Sequence, residues 1–224
     1  MIILPNKGLA FISVTKCGST SVEAAMQEYK GIFIGGTTGL KHTKYRHIEE
    51  FVLPFLDTKK IKRPHFFAVT REPADRLMSW YKFRQRDQLA NAPTDSKKKL
   101  NFIHGISFEE FAEAVLTREK GPMFSVDTQR SFVEDANGDV KVDTLIRLES
   151  LNVIFPKLLR KFKIRPPESF ERKNISPKDK ESEISDELRD RINKSSRFKQ
   201  DFFLYRNSIR RPKQLLQEIA SKEA

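Results

Sequence analysis

The sequence predicts an α/β fold: a single domain over residues 1–224, in three layers, with a central parallel sheet flanked by helices. Three observations carry that prediction. Residues 11–21, FISVTKCGSTS, run from an apolar strand through a turn of small and hydroxylic residues into helical periodicity. Residues 65–70, HFFAVT, form a second strand, apolar at its centre as a parallel strand covered on both faces should be. That strand feeds directly into residues 71–81, REPADRLMSWY, where Pro73, Glu72 and Asp75 mark a helix start.

In chain order, residues 8–14 read as the first strand and 20–29 as its helix, with Val22, Ala25, Met26 and Tyr29 facing inward. Residues 31–40 are a glycine-rich connection leading into KHTKYRH at 41–47. Ile48, Phe51, Val52 and Phe55 then set the inward stripe of a short amphipathic helix ending near Leu56. In the helix after Thr70, Leu77, Trp80 and Tyr81 form the buried stripe. Residues 87–106 are polar and irregular, as a mobile insertion would be. Ser107 and Glu110 form a capping box that opens a helix to about 116. Helix is expected within 127–133, a turn at Asn137-Gly138, a strand at 144–148, and a helix over 151–162 perturbed by Pro156. Residues 165–180 are proline-rich, basic and aperiodic, hence a surface loop. Ser185 caps a helix to about 192, residues 198–205 form another, and 206–224 read as an amphipathic helical tail.

Composition bounds the partners. The formal net charge of +12 favours polyanions, but the cations are spread along the chain, so nucleic acid, acidic glycan, anionic lipid and phosphorylated nucleotide all fit. The dense runs at 59–63 and 97–99 read as solvated loops. No apolar run approaches the roughly 18 residues of a membrane span, and the N-terminus does not read as a signal peptide, so a soluble, cytoplasmic protein is expected. Cys17, the only cysteine, forbids an intrachain disulfide; it reads as a small residue fitting its turn in preference to a reactive thiol.

Two strand-to-helix junctions, each carrying a cation (Lys16 and Arg71), point to a ligand with two separated phosphates along the carboxyl edge of a parallel sheet. The first junction is P-loop-like in layout. It lacks GxxxxGK[ST], however, because Lys16 precedes Gly18, and no GxGxxG occurs anywhere. A generic nucleoside triphosphatase and a dinucleotide enzyme are both disfavoured. No ligand-spaced His/Cys/Asp cluster implies a metal.

Residues 14–21, VTKCGSTS, resemble the 5′-phosphosulfate loop of sulfotransferases that use 3′-phosphoadenosine-5′-phosphosulfate (PAPS), and residues 69–81 resemble their 3′-phosphate motif. The likeness is closest to the heparan and chondroitin (carbohydrate) branch and its bacterial relatives. It extends to Lys41-His42, Gln129, VDTLIRLESL at 142–151, Asn174-Ile175-Ser176 and Asp201-Phe202. The resemblance implies that Lys16, Cys17, Gly18, Ser19, Thr20 and Ser21 hold the 5′-phosphosulfate, and Arg71 and Ser79 the 3′-phosphate. Ser79 lies about 12 Å along an ideal helix from Arg71, so the helix must run beside the nucleotide. Departures are Cys17 and Ser19 in the loop, Glu72 where Asn or Asp is common, and Ala74 in place of an aromatic. The last bears on the adenine side, where Trp80, Phe170 and the 165–180 loop are candidate neighbours.

A hydroxyl acceptor must lose a proton as it attacks sulfur, so a general base is expected, and His42 in the KH segment is the first candidate. His47 is the second; His65 and His104 read as structural. Lys16 would neutralise charge on the leaving oxygen. The expected reaction is in-line sulfuryl transfer from PAPS to a hydroxyl, on a carbohydrate by family resemblance and an anionic one by charge. The product would be adenosine 3′,5′-bisphosphate, with no metal. The rival readings are a nucleotide or small-molecule kinase with a degenerate phosphate loop, a non-catalytic nucleotide-binding relative, and a nucleic-acid-binding module. No RNA- or DNA-binding signature supports the last.

Overall fold

The computed structural model describes residues 1–94, 96–168, 170, 183–211 and 214–215. In chain order the elements are β1 (Ile2–Leu4), β2 (Leu9–Ile12), α1 (Ser19–Met26), β3 (Ile32–Phe33), α2 (Thr38–Lys41), α3 (Tyr45–His47), a π-helical turn (Ile48–Val52) and α4 (Leu53–Thr58). There follow β4 (His65–Thr70), α5 (Pro73–Arg84), α6 (Asp87–Ala90), α7 (Phe108–Leu116), α8 (Arg130–Val133), β5 (Thr144–Arg147), α9 (Leu151–Lys161), α10 (Asp186–Lys194) and α11 (Lys199–Asn207). The chain divides into two compact units: residues 1–71, 129–175 and 204–224 make the first, and residues 72–128 and 176–203 the second.

The first unit holds a five-stranded sheet of order β3-β1-β2-β4-β5. The expected parallel sheet is present in its centre, but the sheet as a whole is mixed. β2, β4 and β5 are parallel, whereas β1 runs antiparallel to both β2 and β3. The cause is local: Pro5-Asn6-Lys7 form a 3₁₀ turn closed by Gly8 at φ 63°, so Ile2–Leu4 folds back on Leu9–Ile12 as a hairpin. β4 is the central parallel strand, buried from Phe66 to Thr70, and its register aligns Ala68 with Ile12 on one side and Leu145 on the other. Phe11, Phe67 and Phe155 stack through the core, with ring centroids 5.0 and 5.9 Å apart. Pro156 sits inside α9, as expected, with Leu151, Ile154, Phe155, Leu158 and Leu159 buried.

Two expectations for this unit are corrected. Phe51 and Phe55 are 66% and 55% exposed; the inward stripe is Ile48, Val52 and Leu56, shifted by one residue across the π-helical turn. Ile209, assigned to the amphipathic tail helix, is extended instead. It bridges Ile146 in parallel, donates its N–H to Leu145 O at 2.7 Å and accepts from Arg147 N at 3.0 Å. The rest of that tail, beyond 211 except for 214–215, lies outside the described residues, as do 174–176 and most of the 165–180 loop.

The second unit is helical. α5, α7 and α10 pack around Leu77, Phe111, Ala112, Val115, Leu188, Ile192 and Phe198. Leu77 is buried on α5, but Trp80 and Tyr81 are half-buried. The capping box is present: Ser107 Oγ accepts from Glu110 N, and Glu110 accepts from Ser107 N. Ser185 likewise caps α10. Glu72 occupies the N-cap of α5 without capping it. Asn193 Oδ1 takes that role by accepting from Ala74 N at 3.2 Å, while its amide donates to Glu72 at 2.7 Å. The polar stretch 87–106 contains α6 and a 3₁₀ turn at Lys99–Asn101.

Candidate functional site

Beyond Ile12 the chain leaves β2 and turns twice through left-handed conformation, at Lys16 (φ 62°) and Gly18 (φ 74°), before α1 begins at Ser19. Such alternation collects backbone N–H groups on the concave side of a turn. Ser21 N donates to Gly18 O at 3.1 Å as the helix begins, and the positive end of the α1 dipole faces the turn. Gly18 is required twice over: its φ disfavours any side chain, and a Cβ there would stand 2.7 Å from Leu148 Cδ1. Cys17 is 1% exposed, with its thiol directed inward, so what it offers the turn is backbone. Ser19 and Ser21 are buried; Lys16, Gly18 and Thr20 are half-buried.

The second junction follows β4. Because β2 and β4 are parallel neighbours, the turn after Ile12 and the turn after Thr70 leave the same, carboxyl, edge of the sheet. Thr70 Oγ1 is tied to Ser208 Oγ at 2.9 Å. Arg71 is half-buried, and its peptide is bonded on both sides by the Gln129 side chain, at 2.8 Å each. Among the described residues no ion pair or hydrogen bond engages its guanidinium.

His42 is the C-cap of α2 and half-buried. Its Nδ1 lies 2.6 Å from Ser13 O. A carbonyl only accepts, so Nδ1 carries the proton and Nε2 of the neutral ring is left with its lone pair. Burial pushes the imidazole below its ordinary value and Lys41 adds to that, while the Ser13 carbonyl opposes it. The support beneath is layered: Ser13 Oγ donates to Glu23, which also holds Lys41 Nζ at 2.7 Å. The Phe132 ring stands edge-on to the imidazole at 6.5 Å and carries Lys44 Nζ 5.4 Å above it.

The first unit thus contains Lys16 through Ser21, His42 and Arg71. Ser79, 8% exposed on α5, belongs to the second unit. His47 is exposed; His65 Nε2 bonds Thr144 Oγ1 at 2.8 Å against Phe162; His104 stacks on Phe102. Phe170 is half-buried and packs on Phe155 with ring centroids 5.0 Å apart. Ser13 and Glu23 are supports that sequence reasoning did not single out. Ser13 lies in the 11–21 stretch but ahead of its phosphate-loop motif at 14–21, Glu23 lies beyond it, and only their hydrogen bonds to the His42 region mark them. No group of three or more metal-ligating side chains occurs among the described residues, and none of their helices is long and apolar enough to cross a membrane.

Fold and site together define a mixed α/β protein in which two adjacent parallel strands end in a turn with two left-handed residues and in Arg71, whose guanidinium has no ion pair or hydrogen bond among the described residues, with the His42 imidazole fixed on Ser13 O close by the first strand's exit. A sequence model of the sulfotransferase family matches residues 1–206, and the chain belongs to that family. No curated protein and no solved structure matches it.

Proposed function

We propose that the protein transfers a sulfuryl group from PAPS to a hydroxyl, on a carbohydrate of anionic character. One observation carries the reading: the Lys16–Ser21 turn and Arg71 exit the same edge of adjacent parallel strands and share a buried partner in Gln129. Two anion sites so linked suit a nucleotide phosphorylated at both ends. In this reading residues 16–21 act as a P-loop-like cradle for the 5′-phosphosulfate, and the planar fork of Arg71 takes the 3′-phosphate.

The acceptor oxygen attacks sulfur as the bond from sulfur to the 5′-phosphate oxygen breaks. The electron pair stays on that oxygen, where Lys16 offsets the charge, and the acceptor proton passes to His42 Nε2. Products are the sulfate ester and adenosine 3′,5′-bisphosphate, and no step calls for a metal. The fixed tautomer and lowered basicity of His42 support its role, since the ring is in its accepting form at neutral pH. The carbohydrate acceptor rests on family resemblance and its anionic character on the net charge of +12.

Calorimetric titration with adenosine 3′,5′-bisphosphate tests the donor assignment. Wild type should bind, and Lys16→Ala and Arg71→Ala should each bind at least about tenfold more weakly. Absence of binding to wild type refutes it. Transfer of labelled sulfate from PAPS to a panel of glycans, unchanged by a chelator, tests the acceptor class and separates the reading from a magnesium-dependent kinase.

A further inference from the structure

Arg71 stands where β4 has outrun its partners. The β2 register ends at Ala68 and the β5 register at Thr70, so no strand is left to pair with the Arg71 peptide. Yet both of its polar groups are satisfied. Its N–H donates to Gln129 Oε1 and its carbonyl accepts from Gln129 Nε2, each at 2.8 Å. One side-chain amide thereby continues the ladder by a residue. The same Oε1 accepts from Cys17 Sγ at 3.2 Å, between the two left-handed residues of the first turn. Gln129 is 0% exposed.

We propose that Gln129 is a positioning residue that locks the first turn and Arg71 into one register, fixing the spacing of the two phosphate sites; this rests on the donor reading above. Gln129 is itself fully buried. It acts through the Arg71 backbone and the Cys17 thiol, and the chemistry selects glutamine. A carboxylate would set a negative oxygen against the Arg71 carbonyl, and asparagine is one methylene too short to hold both bonds. An apolar isostere would strand an N–H and a carbonyl away from water.

The test uses the full chain with Gln129→Met, Gln129→Glu and Cys17→Ala, and two readouts. The first needs no nucleotide. Amide hydrogen exchange at Arg71 should accelerate at least about tenfold in Gln129→Met while residues 66–69 keep their protection. The second is affinity for adenosine 3′,5′-bisphosphate. Gln129→Met should bind about 10- to 100-fold more weakly, and that loss should shrink to under about twofold in the Arg71→Ala background. Gln129→Glu should regain affinity relative to wild type as the pH falls, because a protonated carboxyl restores the donor to the Arg71 carbonyl. If Gln129→Met does not fold, Gln129→Glu at low pH and Cys17→Ala, expected to lose severalfold affinity, carry the test. Unchanged exchange at Arg71, or losses that add fully in the double variant, as general loosening would produce, overturn the proposal. Wild type that fails to bind the bisphosphate while Arg71 exchange still responds overturns the donor reading instead, and the positioning role with it.

Discussion

Replacing His42 with alanine removes a ring whose geometry already commits it to accept a proton. Nδ1–H is spent on Ser13 O at 2.6 Å, and burial lowers the affinity of the ring for a second proton. Even at the ordinary value of about 6.5, about three-quarters of the rings would be neutral at pH 7, and the lowered value raises that share. A positioned general base contributes about 10²- to 10⁴-fold, or roughly 3–5 kcal/mol of barrier. His42→Ala should lose kcat/KM by that factor in sulfuryl transfer from PAPS while binding adenosine 3′,5′-bisphosphate as wild type does. The pH dependence follows from the same shift. Wild-type kcat/KM should fall on the acid side with a midpoint below about 6.5, and the variant should lack that limb. Folding stability moves in the same sense. As pH falls below about 6.5 the unfolded chain takes up the proton first, so stability declines until the lowered folded value is reached, and His42→Ala should flatten that slope. Retention of activity within about threefold, or an acid limb that survives the substitution, would refute the assignment. Transfer of the whole loss to His47→Ala would do the same.

Gly18→Ala should cost about 2–3 kcal/mol, the sum of left-handed strain and displacement of Leu148, and should weaken bisphosphate binding; thermal denaturation and titration together check it. Arg71→Lys keeps the charge but not the fork, so nucleotide affinity should drop about tenfold with stability unchanged, whereas equal affinity would argue against bidentate phosphate recognition. Arg84 is 2% exposed and held by Ser125 O at 2.7 Å and the Trp80 ring at 5.1 Å, but its Nε and Nη1 have no partner among the described residues, and burial lowers it to about 10. Arg84→Met should therefore shift stability by no more than about 1 kcal/mol, and Arg84→Ala should cost about 3 kcal/mol by leaving a cavity; equal melting points for the two variants would contradict this.

What could be read from the chain alone was what short windows encode. The apolar run HFFAVT, Pro73 at a helix start, the Ser107 capping box, the Ser185 cap and the Lys16–Ser21 turn each announce themselves within a few residues, and each was found. The hairpin was legible in principle, since Pro5-Asn6-Lys7-Gly8 between two apolar runs is a turn signal, but treating 8–14 as an isolated strand hid its partner. Phe51 and Phe55 were misplaced because periodicity fixes a stripe only for an assumed pitch, and the π-helical turn changes the pitch. The extended bridge at Ile209 depends on an open edge of β5, which no local pattern reveals.

The site divides along the same line, and the division explains its design. Residues that would touch the ligand, Lys16 and Arg71, stand in contiguous motifs, because a turn and a helix start are local constructions. Residues that hold them are remote: Gln129 is 58 positions from Arg71 and 112 from Cys17, and His42 is 29 from the Ser13 carbonyl that sets its tautomer. Lys16 in left-handed conformation is strained, and it gains nothing from Gly18 two residues on, whose own left-handed φ costs no side-chain clash. Such a turn persists only where its surroundings over-determine it, and here Gln129 on one side and Leu148 against Gly18 on the other supply that constraint. The Lys16–Ser21 turn is therefore a local sequence made rigid by distant ones. Substitution at the supports should damage function through geometry while leaving every residue of the motif in place.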